Sequence, residues 1–200
     1  KITKCWKINL ISFLCFYPEG EIHSRAKGST PYEIARDSKK YPFEKILAAA
    51  ELATSLKKKD LPKISHLLTD NDSAVRYWGA IGLLTHKKSG TKAFAKELVN
   101  ALNDKSPYVR ATAAEALGKY GSKNEQILAV KTLSELADPI ENGCFPSMLA
   151  MNAIDHLDYK AKPILSIIKS MPRTPEGVDK RFQGYVGRLI DTTVKELDGK

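Results

Sequence analysis

The chain has 200 residues, 42% of them hydrophobic, which suffices for one domain or for an elongated array with a continuous core. Lys and Arg outnumber Asp and Glu by 32 to 23, a formal net charge of +9; this favours anionic partners but bears on solubility and encounter rather than on fold. The basic residues are mostly scattered Lys and read as a solvated surface, and three Cys without metal-ligand spacing exclude both a disulfide framework and a clustered zinc site.

Residues 1–30 carry no helical periodicity and are expected to be an irregular connector or docking segment. Lys1 to Lys7 followed by the apolar run Ile8–Phe16 has the outline of a secretory signal, but Tyr17-Pro-Glu-Gly-Glu21 stands where a small-residue cleavage site would be. The run is too short to span a membrane. A first residue of Lys rather than Met leads us to expect a fragment or a processed product.

Residues 31–59 read as N-terminal capping helices. Thr30-Pro-Tyr-Glu33 is a helix start, with Thr as N-cap, Pro at the first helical position and Glu reaching back. Pro42 ends that helix by Tyr41. A second helix, Pro42 to Leu56, places Ile46, Ala49, Ala50, Ala53 and Leu56 on one face, and Lys57 to Lys59 ends it.

Residues 60–171 read as repeats. Leu67-Leu-Thr-Asp-Asn-Asp-Ser-Ala-Val-Arg76 aligns with Ala101-Leu-Asn-Asp-Lys-Ser-Pro-Tyr-Val-Arg110 at an offset of 34, the mark of a helical repeat array. In the first unit Asp60 is expected to cap a helix carrying Ile64, Leu67 and Leu68. Asp72 then caps a helix from Ser73 to His86 with Val75, Gly79, Gly82, Leu83 and His86 along one stripe. Lys87 to Gly90 is expected to break it. In the second unit Thr91 starts a helix with Phe94, Leu98, Ala101 and Leu102 inward, and Ser106 caps a helix from Pro107 to Tyr120 that Gly121 closes at the C′ position. A third unit takes 123–137, with Ile127, Val130, Leu133 and Leu136 inward, a longer turn over Asp138–Gly143, and Phe145 to Leu157, matched to the second unit at an offset of 37. One more short helix spans Ala161 to Met171. Residues 172–200 are a linker and a C-terminal capping helix, Val178 to Leu197, with Phe182, Val186, Leu189 and Leu197 inward.

The fold class is therefore all-α, an α-α superhelix of repeats behind an irregular N-terminal segment. Gly79/Ala113 and Gly82/Ala116 are small where helices cross closely. Asp70, Arg76, Asp104 and Arg110 are expected to form a structural ladder, an Asp in one turn accepting from an Arg of the neighbouring unit. Arg76, Tyr77 and Trp78, with Tyr108, are candidates for stacking on a partner. His23, His66, His86 and His156 lie in separate elements, His86 reading as a core-edge residue and His156 as a cap or surface residue. No nucleophile elbow, phosphate-binding loop or paired-carboxylate motif is present, and no cofactor or metal is expected.

Two resemblances follow. The antiparallel helix pairs over about 60–170, with D-x-x-x-x-V-R leading the second helix in two of the three units, resemble HEAT-type repeats. More specifically, Pro18-Glu-Gly-Glu-Ile-His-Ser-Arg25, Thr30-Pro-Tyr-Glu-Ile-Ala-Arg-Asp37, Tyr41-Pro-Phe-Glu-Lys-Ile-Leu-Ala-Ala-Ala-Glu-Leu-Ala53 and Ala74-Val-Arg-Tyr-Trp-Gly-Ala80 resemble the C-terminal region of bacterial arylsulfatase-type sulfatases. That resemblance implies a non-catalytic accessory domain whose enzyme domain, with its formylglycine Cys and calcium-binding carboxylates, would lie upstream. It implies an extracytoplasmic location, and it makes Glu21, His23, Arg25, Tyr32 and Arg36 the docking connector. Cys144-Phe-Pro-Ser147 starts like the sulfatase C-x-P-x-R sequence, but Met148 stands in the Arg position, so Cys144 reads as a packing residue. The expected partner is an upstream sulfatase-like domain or another protein chain. The alternatives are a sulfated or other anionic glycan and, less suited to the few inner-helix cations, nucleic acid. No membrane span is expected.

Overall fold

The computed structural model describes residues 28–174, 176 and 180–199, with the side chains of 31, 32, 35 and 180–183 left undescribed. The expectations for Cys5, Cys15, the 8–16 run, Glu21, His23 and Arg25 lie outside these residues, as does the orientation of Tyr32 and Phe182.

The described residues are helical, with no strand among them. Helix α1 (Pro31–Arg36) opens on the expected capping box: Thr30 Oγ1 accepts from Glu33 N at 3.2 Å, and Glu33 Oε2 accepts from Thr30 N at 2.7 Å. The hydrogen bonds that Thr30 donates to the Glu33 carboxylate, from its backbone N–H first and its hydroxyl second, hold that carboxyl below its usual range. Helix α2 (Phe43–Ala53) buries Ile46, Ala49, Ala50 and Ala53 as its spacing requires. It stops three residues short of Leu56. That residue sits at φ 54 with 64% of its surface exposed, outside the apolar face to which the sequence assigned it.

The first repeat pairs α3 (Leu61–His66), extended by a tight turn over Leu67–Thr69, with α4 (Ser73–Thr85). Asp72 caps α4 by accepting from Ala74 N at 2.8 Å and Val75 N at 3.4 Å. Asp60 does not cap α3; its carboxylate instead accepts from Ser55 Oγ at 2.9 Å.

The second repeat corrects the sequence reading. Lys87–Gly90 does not break the chain into a loop: α5 (Lys87–Ala93) begins there, and the interruption is a single left-handed residue, Lys87 at φ 54. Thr91 is thus buried inside a helix rather than starting one. A second interruption at Phe94 leads into α6 (Ala95–Ala101). Helix α7 (Pro107–Tyr120) follows, burying Val109, Ala113, Ala116 and Leu117. Ser106 occupies its N-cap position without a side-chain cap bond, and Gly121 ends it at an ordinary φ of −73.

In the third unit α8 (Lys123–Leu136) opens on a capping box of Ser122 and Glu125. It turns Val130, Leu133 and Leu136 inward, but Ile127 is 61% exposed. The longer turn is a short helix, α9 (Pro139–Asn142), capped by Asp138. Gly143 takes φ 78 to link it to α10 (Cys144–Leu157), a conformation other residues adopt only with strain. A tight-turn segment, Asp158–Ile164, leads to α11 (Leu165–Ser170), and α12 (Lys180–Asp198) closes the described chain.

Helices α2, α4, α7, α10 and α12 form one row, each packed on the next; α3, α5 with α6, and α8 lie against that row from the other side. Burying each large apolar side chain contributes about 1.5–3 kcal/mol, so no helix pair is stable without its neighbours. Gly82 shows how closely the row approaches: a Cβ there would lie 2.5 Å from Ile64 Cγ2 and 3.1 Å from Ala53 Cα, so α2, α3 and α4 meet at its bare backbone.

Candidate functional site

The turns between paired helices gather the polar residues that the repeat pattern singles out. Arg76, in the first turn of α4, reaches across to the turn of the second unit. Its Nε lies 2.7 Å from Asp104 Oδ2 and its Nη2 2.8 Å from Asp104 Oδ1, a two-pronged pair with side chains only 14% and 11% exposed. The same guanidinium donates through Nη1 to the carbonyls of Asp70 and Asn71 at 2.9 and 3.0 Å. Asp104 in turn accepts from Ser106 N at 2.8 Å, tightening the turn before α7.

Asp70 is not paired with an Arg side chain. Lys45 of α2 reaches it at 2.7 Å, and the Asp70 carboxylate also accepts from Asp72 N. Burial pushes the Asp70 carboxyl up, but the hydrogen bonds from Lys45 and Asp72 and the charges of Lys45 and Arg76 outweigh it and hold the group below its usual range. Arg110 donates to Leu102 O at 3.1 Å and to Glu135 Oε2 at 3.3 Å. The contacts therefore run from Lys45 to Asp70, Arg76 to Asp104 and Arg110 to Glu135, each joining one unit to the next.

Lys45 and Glu135 escape sequence reasoning, since neither occupies a repeated position. Asp138 carried a signal that was present in the period: it stands 34 residues after Asp104, as Asp104 does after Asp70. Its carboxylate caps α9, accepting from Ile140 N at 2.8 Å.

The stacking candidates separate. Trp78 and Tyr108 are each 5% exposed and have no ring face free for a ligand. Trp78 packs among Ile34, Tyr41, Ile46 and the alanines of α2. Tyr77 is half-buried, its ring set edge-on to Trp78 at 6.0 Å, and burial first and Glu115 second push its hydroxyl pKa up. Arg36 is exposed in the last turn of α1. With Arg76 and Arg110 engaged by carboxylates, the inner-row cations offer little to a phosphate backbone.

Other polar residues also join elements. Ser147, fully buried, donates to Ala137 O at 2.6 Å and ties α10 to the end of α8. Lys160 donates to Gly118 O and Lys119 O, at 3.2 and 2.7 Å, and so closes the C-terminus of α7. His156 Nδ1 lies 2.9 Å from Glu115 Oε1, while His86 is buried at the end of its stripe. Cys144 is buried with Sγ 3.5 Å from Met148 Sδ, and burial pushes its thiol pKa up, the reverse of what a reactive thiolate needs. Among the described residues no group of three or more His, Cys, Asp or Glu is placed to hold a metal ion, and no helix is long and apolar enough to cross a membrane.

A single row of stacked helices whose polar turn residues cross from unit to unit defines the class: an all-α helical-repeat solenoid, a fold that serves as an interaction scaffold. Residues 61–141 match the family described as HEAT repeats, which supports a HEAT-like repeat domain over this part of the chain. Comparison with curated proteins finds no match.

Proposed function

We propose that the chain is a non-catalytic interaction module and, more specifically, the C-terminal accessory domain of a sulfatase. The observation that carries the first part is the engagement of the repeated polar residues: Arg76, Asp104, Asp70 and Arg110 all bind neighbouring units, which leaves them building a surface rather than running a reaction. The second part rests on the resemblance of residues 18–53 and 74–80 to the tail of arylsulfatase-type enzymes. On this reading the connector with Glu21, His23, Arg25, Tyr32 and Arg36 meets the catalytic domain, the protein works outside the cytoplasm, and it needs no cofactor.

The chain produced alone should hydrolyse no sulfate ester and bind no calcium, and it should form a complex when mixed with a bacterial arylsulfatase-type catalytic domain lacking its own tail. A formylglycine signature in the reading frame upstream of Lys1 would support the parentage; a start codon at that point would make this a free-standing repeat protein and sink the sulfatase reading. Hydrolysis by the chain alone would sink both parts. The formal charge of +9 favours a second reading, retention of sulfated glycans. Heparin retention well above that of a neutral polysaccharide of equal length is its test.

A further inference from the structure

The third turn departs from the two before it. In the first two turns the aspartate is neutralised by a cation from the preceding helix of the row: Asp70 by Lys45 and Asp104 by Arg76. By the 34-residue period Arg110 should serve Asp138. It does not: Arg110 pairs with Glu135 instead, and Asp138 caps the inserted helix α9. Among the described residues the Asp138 carboxylate is left with two backbone N–H groups and no cation, and Glu141 has no side-chain partner.

These groups line an open cleft of about 490 Å³ between the end of α8, α9 and the end of α11. Three carboxylates (Glu135, Asp138 and Glu141) face one guanidinium there, in a chain whose overall charge is +9. The neighbouring cations are also engaged: Lys169 with Asp198 and Arg173 with Asp191. One side of the cleft is apolar, with Ile167 46% exposed beside Met171 and Pro172. Two carboxylates without a cation, Asp138 and Glu141, next to the exposed Ile167 are complementary to a Lys or Arg flanked by a bulky aliphatic residue.

We propose that this cleft is a docking site for a linear peptide segment of a partner protein that carries Lys or Arg beside Leu, Ile or Val. The incoming cation takes the place that Arg110 leaves open at Asp138, and the aliphatic side chain covers Ile167. The inference rests on the reading of the chain as an interaction module. It is independent of the sulfatase parentage, so a failed sulfatase complex leaves it standing.

The test is fluorescence anisotropy of a dye-labelled short peptide alternating Lys and Leu, titrated with the intact chain. A matched peptide alternating Lys and Ser reports charge alone. The Lys–Leu peptide should bind and the Lys–Ser peptide should bind markedly less. Glu141→Lys and, independently, Ile167→Ser should each weaken binding by about tenfold or more, the first by reversing a charge at the contact and the second by removing the aliphatic surface without adding charge, since both side chains face solvent. Glu51→Lys, an equal change in net charge on exposed α2, should leave binding within about twofold. Absence of binding to the unaltered chain overturns the proposal. So do equal losses in Glu141→Lys and Glu51→Lys, or equal binding of the two peptides.

Discussion

Arg76 and Asp104 meet across the first unit boundary through two parallel hydrogen bonds of 2.7 and 2.8 Å, 28 residues apart in sequence. The pair is largely shielded from water, and the guanidinium also holds the carbonyls of the preceding turn. Removing one partner leaves the other charged and poorly solvated. Arg76→Ala should lower stability by about 3 kcal/mol. The double variant with Asp104→Ala should lose less than the sum of the two single changes, by about 1 kcal/mol or more, in urea unfolding. Additive losses would show that the pair does not act as a unit. Arg76→Lys should not rescue it, because an ammonium cannot bridge both oxygens and two carbonyls at once.

The Asp70–Lys45 contact predicts a pH dependence. The folded Asp70 pKa is depressed, so this group binds its proton more weakly in the folded chain than in the unfolded one. Its stabilising contribution is therefore complete above the ordinary aspartate pKa and lost as pH falls through the lower, folded value. The stability gap between the unaltered chain and Lys45→Met should be largest near neutrality and should shrink towards zero in acid. A gap that is constant down to the acid limit would mean that Lys45 acts through packing alone.

Gly82 predicts a steric loss. A methyl group there would meet Ile64 Cγ2 at 2.5 Å and Ala53 Cα at 3.1 Å, in a place where a β-branched side chain and a helix backbone have little room to give. Gly82→Ala should destabilise by about 1–3 kcal/mol, despite the better helix propensity of Ala. A higher melting temperature for Gly82→Ala would refute the close crossing of α2, α3 and α4.

Leu56 predicts the opposite sign. It is exposed and holds φ 54, a region that costs a branched L-residue roughly 1–2 kcal/mol. Leu56→Gly removes that strain without opening the core, although the freer unfolded chain offsets part of the gain. Stability should rise by about 0.5–1 kcal/mol in chemical denaturation. A fall would show that the Leu56 side chain makes a contribution its exposure does not reveal.

Ser147 tests a buried hydrogen bond. Its hydroxyl satisfies Ala137 O inside the junction of α8 and α10. Ser147→Ala leaves that carbonyl with one acceptor site unfilled and should cost about 1–2 kcal/mol, read as a lower urea midpoint at unchanged slope.

Much of the fold was legible because its period is local. The Thr30 and Asp72 caps, the Val75/Val109 and Gly82/Ala116 stripe and the 34-residue offset are patterns a chain carries without knowledge of its neighbours. Errors fell where tertiary contact overrides local preference. Lys87–Gly90 has the composition of a loop, yet α5 forms there, with Gly90 lodged so close to α4 that a Cβ would lie 2.5 Å from Leu83 O. Ile127 fits the helical spacing, but α8 needs only Ala129, Val130, Leu133 and Leu136 to meet the row.

By itself, the sequence determined that this is an all-α stack of helix pairs, because helical periodicity and capping depend on neighbours a few residues away. Which carboxylate each cation meets was decided only in the tertiary structure. Arg76 finds Asp104 in the next turn, whereas Arg110 finds Glu135 on helix α8, outside the repeated position. Asp138 is turned from that role by an inserted helix whose cap it has become. Spacing along a chain places residues on a face; only packing sets the few ångströms that separate an ion pair from an open cleft.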